Sequence, residues 1–168
     1  MKSRIAIASL VLSAVGFSGI AIQEGYTSKA VRPVPGDVPT IGLGSTTMAD
    51  GGPVQMDDTI TPPAAIALAV RDVSVKETAL KGCITAPLHQ YEYDAFVSLA
   101  YNVGPGAVCK SSIPKKLAAG DYAAACRTIL DFKRVQGRDC SVPENARFCG
   151  GVWTRRLQEY RMCLGEAR

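Results

Sequence analysis

The pattern of hydrophobic and polar positions is most lopsided at the start of the chain. Between Arg4 and Glu24 there is no charged residue. Residues 5–22 hold Ile5, Ile7, Leu10, Val11, Leu12, Val15, Phe17, Ile20 and Ile22, with Ala, Gly and Ser filling the other half. As one helix these residues would reach roughly 27 Å, a marginal bilayer span. Their hydrophobes favour insertion by roughly 3 to 5 kcal/mol, and the Gly and Ser residues subtract from that. Lys2 and Arg4 argue for a cytoplasmic N-terminus, with Lys29 and Arg32 weakening the bias. The segment therefore reads as an export signal that resides only marginally in lipid. The alternative is a cleaved signal peptide, since Gly19-Ile20-Ala21 passes as a small-x-small processing site. Cleavage there would leave Glu24 on a frayed terminus.

Beyond Glu24 the pattern changes twice. Gly25 is a helix stop, and residues 32–47 read as extended and turning, because Pro33, Pro35 and Pro39 disfavour helix before them. Pro35-Gly36 suits a type II turn, Thr40 to Gly44 a short strand, and Asp50-Gly51-Gly52-Pro53 a second turn, which together make a small β-hairpin region. From Thr61-Pro62 the spacing turns helical, with Ile66, Val70, Val73, Glu77 and Leu80 on one stripe. Glu77 is its one polar member.

Further helices are predicted near Leu88–Asn102, with Phe96, Leu99, Ala100 and Val103 buried, and near Pro114–Ala119. Another follows Asp121 as cap, with Tyr122, Cys126, Ile129 and Val135 on one face. The last spans about Val152–Leu164, turning Trp153, Leu157, Tyr160 and Leu164 inward. A lone hairpin followed by helices gives an α+β class, a small sheet region beside a larger helical body. A cleft between the two is the natural place for a long ligand.

Length and composition narrow the reading without deciding it. With 168 residues, 47% hydrophobic and 20% charged, the chain suits one globular domain and one active site. A net charge of +4 gives mild attraction to anionic surfaces. No basic run exceeds two residues and no basic-aromatic stripe stands out, which argues against nucleic acid. Six cysteines (Cys83, Cys109, Cys126, Cys140, Cys149 and Cys163) all follow the apolar segment, pointing to disulfides in an oxidising compartment. Zinc is the weaker alternative: there is no C-x-x-C, and the single histidine, His89, stands apart from any cysteine pair. Fifteen pairings are open, with Cys140 and Cys149, flanking a short polar loop, the first to expect.

Glu24 is the candidate for chemistry. At the C-terminal end of an apolar helix, the negative end of the helix dipole and a partly apolar setting both disfavour a carboxylate, which suits a proton donor. Position alone would still leave it an ordinary residue flanking a membrane segment. The surrounding pattern adds more. Glu24-Gly25-Tyr26 followed by Thr40-Ile41-Gly42-Leu43-Gly44 resembles the start of the phage-type lysozymes. Ala95 to Gly104, Lys116 to Tyr122, and Gly151-Val152-Trp153-Thr154-Arg155-Arg156 with Glu159 are similar to that family's later motifs, in order.

The resemblance implies a lysozyme-like fold and cleavage of the β-1,4 bond between N-acetylmuramic acid and N-acetylglucosamine in peptidoglycan, as a monomer and with no cofactor or metal. It assigns the general acid to Glu24 and water positioning to Thr40. The family's Asp usually lies six residues before that Thr, a place held by Val34; the nearby carboxylate is Asp37. Either Asp37 reaches the site by a different turn, or it is turn chemistry and the second carboxylate is absent. The family's His after Gly-x-Gly is replaced by Ser45.

The apolar start resembles the signal-anchor-release endolysins, in which the first helix is held in the host inner membrane until release into the periplasm. On that reading residues 1–23 are the anchor and first helix and 24–168 the catalytic domain. No Cys lies in the anchor, so helix relocation, not cysteine exchange, would activate the enzyme. The alternatives are a lytic transglycosylase, which needs one Glu only, and a non-enzymatic, disulfide-stapled envelope protein. Tyr91, Tyr93, Phe96, Tyr101 and Trp153 read as structural, and Arg155-Arg156 as pairing with acids or lining a cleft edge.

Overall fold

Glu24 closes the first α-helix, α1 (Ala14–Glu24), and Gly25, at φ 67°, ends it by donating its N–H to Ala21 O at 3.1 Å. The computed structural model describes residues 3–33 and 36–166; Lys2, Val34 and Pro35 lie outside the described residues. The uninterrupted apolar helix expected over 5–22 is not what the fold contains. Ile7–Ser9 form one 3-10 turn, residues 10–13 are irregular, and only the second half is α-helical. No helix among the described residues is long and apolar enough to cross a membrane.

The chain forms two compact units: Met1–Gly16 with Lys76–Arg168, and Phe17–Val75. The second unit holds the expected hairpin. β1 (Thr27–Val31) pairs antiparallel with β2 (Thr40–Gly42), Thr27 opposite Gly42 and Val31 opposite Thr40, with an irregularity between. Ala30, Ile41 and Val54 form its core, with Met48 and Ile60 against them. The turn at Asp50 is as predicted: Gly51 N–H reaches Met48 O, and Asp50 Oδ1 accepts from Gly52 N–H. Arg71 Nη2 donates to Thr47 O at 2.7 Å and Nη1 to Met48 O at 2.5 Å, fastening this loop.

α2 (Pro62–Cys83) starts at the predicted Thr61-Pro62, but its buried stripe is displaced by one position at its N-terminal half. Ala65, Leu68 and Ala69 are buried, while Ile66 and Val70 are each half exposed; Val73, Glu77 and Leu80 are buried as expected. Small residues here sit where two backbones approach closely. A Cβ on Gly42 would meet the Ala65 Cβ at 2.8 Å.

In the first unit α3 (Gln90–Val103) is the central helix, buried from Glu92 to Ala100. α4 (Pro105–Lys110), α5 (Ile113–Ala118) and α6 (Tyr122–Thr128) follow, the last capped by Asp121 accepting from Ala124 N–H. α4 was not predicted; Pro105 at a first helical position starts it rather than only ending α3. Val135 does not extend the face of α6. It lies in β3 (Arg134–Val135), paired with β4 (Arg138–Asp139) through a turn in which Gln136 and Gly137 both have positive φ.

α7 (Ala146–Cys163) begins earlier than expected and is kinked at Cys149. Its fully buried face is not the apolar one: Arg155, Arg156, Glu159 and Cys163 are buried, and Trp153, Leu157, Tyr160 and Leu164 are half-buried. Arg155-Arg156 does pair with an acid. Glu159 Oε1 accepts from Arg155 Nε at 3.2 Å, Arg156 Nη2 at 3.1 Å and Ser98 Oγ at 2.8 Å. Arg156 Nε faces Glu159 Oε2 at 2.9 Å as an ion pair, without the alignment of a hydrogen bond. Burial pushes the Glu159 carboxyl up and the Arg156 guanidinium down, and each opposes the other's shift.

All six cysteines are paired, as Cys83–Cys109, Cys126–Cys163 and the anticipated Cys140–Cys149.

Candidate active site

The second unit holds all three residues singled out in the sequence, on different elements. Glu24 is the last residue of α1 and is half-buried. Thr40 opens β2, half-buried; its Oγ donates to Val31 O at 3.4 Å, which leaves its lone pairs available to accept from water. Asp37 lies exposed in the bend leading into β2.

Glu24 is set against the loop that leaves β2. Ile41 and Ser45 exchange backbone hydrogen bonds at 2.9 and 3.0 Å, closing a tight turn around Gly42, Leu43 and Gly44. Gly42 and Gly44 have φ of 67° and 85°, a region costly for any side chain. A Cβ on Gly44 would stand 3.1 Å from Glu24 Oε2. The two glycines thus differ in purpose: Gly42 clears the α2 backbone, and Gly44 clears the Glu24 carboxyl. Tyr26, two residues past Glu24, donates its hydroxyl to Ile60 O at 2.8 Å and ties the exit of α1 to the segment before α2.

The structure brings Glu24 and the β2 loop together and leaves Asp37 exposed on its bend. The place the family pattern gives to an Asp, Val34, is outside the described residues. The clearance role of Gly44 was legible only as the general expectation of close packing at glycine. Ser45, where the family's His would stand, is buried, and its Oγ has no hydrogen-bond partner among the described residues. No cluster of His, Cys, Asp or Glu among the described residues has the makings of a metal site.

A small hairpin unit with a carboxyl at the end of the preceding helix, in a chain whose other unit is helical, defines a lysozyme-like protein. The phage lysozyme family model matches residues 21–159, and the chain belongs to that family. The endolysin of Salmonella phage P22 is 34% identical over 76% of this chain and 86% of its own length. A SAR-endolysin of Escherichia phage N15 is 30% identical over 98% of this chain and 96% of its own. Among solved structures, an endolysin from Escherichia coli O157:H7 phage FAHEc1 superposes with a TM-score of 0.78 at 29% identity, covering 93% of this chain and 94% of that one.

Proposed function

We propose that the chain is an endolysin that hydrolyses the β-1,4 bond between N-acetylmuramic acid and N-acetylglucosamine of peptidoglycan. The observation that carries this is the half-buried Glu24 at the end of α1, with Oε2 held against the side-chain-free Gly44, in a chain of the phage lysozyme family. Glu24 gives its proton to the glycosidic oxygen as the bond to the anomeric carbon breaks. Water accepted by the Thr40 hydroxyl adds its oxygen to that carbon from the opposite face, and Asp37 takes the water's proton. Residues 5–22 hold the chain in the host inner membrane before release, residues 1–23 serving as anchor and 24–168 as the catalytic part. Support for the anchor comes from the uncharged run itself and from the SAR-endolysins among the chain's relatives.

The exposed Asp37 favours one other reading, a lytic transglycosylase, in which a hydroxyl of the substrate attacks in place of water. Mass analysis of digested peptidoglycan separates them. Reducing muramic ends are expected; anhydro-muramic ends would overturn the hydrolase.

Gly44 supplies a second expected outcome. Gly44→Ala and Gly42→Ala each place a side chain in a left-handed backbone and should lose about 1 to 2 kcal/mol of stability, with a further loss for Gly42→Ala from its clash with Ala65. Only Gly44→Ala also displaces the Glu24 carboxyl, so its kcat on purified peptidoglycan should fall about tenfold or more per folded molecule, with Gly42→Ala near wild type. Equal kcat in the two variants would contradict the clearance role.

A further inference from the structure

The N-terminal segment is held in the first unit less by its hydrophobes than by its polar atoms. Ile7 and Leu10 are buried, but Ile5 and Val11 remain 49% and 65% exposed. Several of its backbone groups and polar side chains, by contrast, are met individually. The Arg4 guanidinium donates to both oxygens of buried Glu92, at 2.7 and 3.0 Å, and stacks 3.4 Å over the Tyr122 ring. Ile5 and Leu88 exchange backbone hydrogen bonds. Leu12 N–H donates to Glu77 Oε1 at 2.7 Å, the oxygen that also accepts from the Tyr93 hydroxyl. Ser13 donates its N–H to Asp94 Oδ1 at 3.0 Å and its hydroxyl to Oδ2 at 2.5 Å. Gln90 Nε2 bridges Asp94 Oδ1 and Val11 O, each at 2.8 Å.

The N–H groups of Leu12 and Ser13 and the carbonyl of Val11 are ones that a continuous helix would satisfy internally. In a bilayer a spanning segment must be helical, with the N–H groups of Leu12 and Ser13 bonded to carbonyls one turn earlier. In the fold that part of the chain is unwound, and carboxylates from α2 and α3 take the same two N–H groups. Ser13 then serves as the new helix start, its Oγ accepting from Gly16 N–H at 3.0 Å where α1 begins.

We infer that Glu77 and Asp94 form a socket that recognises the N-terminal segment in its unwound form only, with Glu92 anchoring Arg4 ahead of it, and so holds the released state against return to the bilayer. The inference rests on the signal-anchor reading for what the segment does elsewhere. The socket's ligand is the chain's own residues 4–13. Membrane helix and docked segment compete for the same N–H donors, so each excludes the other. Gly16 belongs to the device: a Cβ there would stand 2.6 Å from Leu12 Cδ1 and 3.0 Å from Asp94 Cγ, so only a bare backbone lets α1 start against α3.

The test uses the full chain, as wild type, as Glu77→Gln/Asp94→Asn and as Gly16→Ala, which presses on the socket without altering a carboxylate. Hydrogen exchange of the released protein is read at Leu12 and Ser13 and at the α3 and α7 amides; fractionation of expressing cells gives the share of chain in the membrane. Both variants are expected to exchange about tenfold faster at Leu12 and Ser13, with α3 and α7 unchanged, and to raise the ratio of membrane-bound to soluble chain by a similar factor. Unchanged exchange at Leu12 and Ser13, or an equal rise throughout α3 and α7, would overturn the socket. A wild-type chain never found in the membrane fraction would instead refute the anchor reading, leaving the exchange result to decide whether the carboxylates grip the unwound segment.

Discussion

Glu24→Gln is expected to lower the turnover of purified peptidoglycan by on the order of 10³-fold, since the amide keeps the shape of the acid but has no carboxylic proton to give. The thermal midpoint should move by about 2 °C or less, because the exchange is isosteric at a half-buried position. That unchanged midpoint, set beside turnover followed as reducing ends, separates loss of the acid from a folding defect. A variant that retained a tenth of wild-type turnover would remove Glu24 from the role of acid. The same measurement on Asp37→Asn would then bear on the second carboxylate, which the fold leaves exposed on its bend.

The second large effect is expected in the first unit, at Glu159. Replacing it by Gln leaves the Arg156 guanidinium fully buried opposite a neutral group, with Ser98 and Arg155 still directed at the lost charge. Removing one partner of such a pair costs about 3 to 5 kcal/mol, read as a lower urea midpoint at unchanged slope. Replacing Arg156 and Glu159 together by Met should cost much less than Glu159→Gln alone, because no orphaned charge remains. A loss below about 1 kcal/mol for Glu159→Gln would mean that water reaches the site and that the pair is not sealed.

What was legible in the sequence was largely what is decided locally. The stop at Gly25, the start at Thr61-Pro62, the Asp121 cap and the turn at Asp50 depend on a few neighbouring residues, and each stands where it was expected. Burial was legible only where size and hydrophobicity agree. On α2 Ala65 and Ala69 go inward and Ile66 and Val70 outward, because close approach selects small residues over larger apolar ones. On α7 the inward face is charged, and a hydrophobic stripe drawn through Trp153 and Leu157 misses it.

The same limit applies to the site. Glu24 and the Thr40–Gly44 run could be read because they are contiguous with recognisable elements. What Asp37 does could not, since it depends on the path of a proline-rich bend. Nor could the unwinding of residues 10–13 be foreseen: the groups that draw it out of helix, Glu77 and Asp94, are 65 and 81 residues away in the chain. The one hint was Glu77 itself, a carboxylate on an otherwise apolar stripe.

The three disulfides carry a consequence for where the protein can be sturdy. All lie in the first unit, closing separations of 26, 37 and 9 residues, and the second unit has no cysteine at all. Crosslinks act chiefly by restricting the unfolded chain, so a thiol reductant is a selective denaturant of the helical unit and has no direct hold on the hairpin that carries Glu24. In a glutathione-buffered, reducing compartment the helical unit must therefore stand on packing alone, and its full rigidity requires an oxidising one.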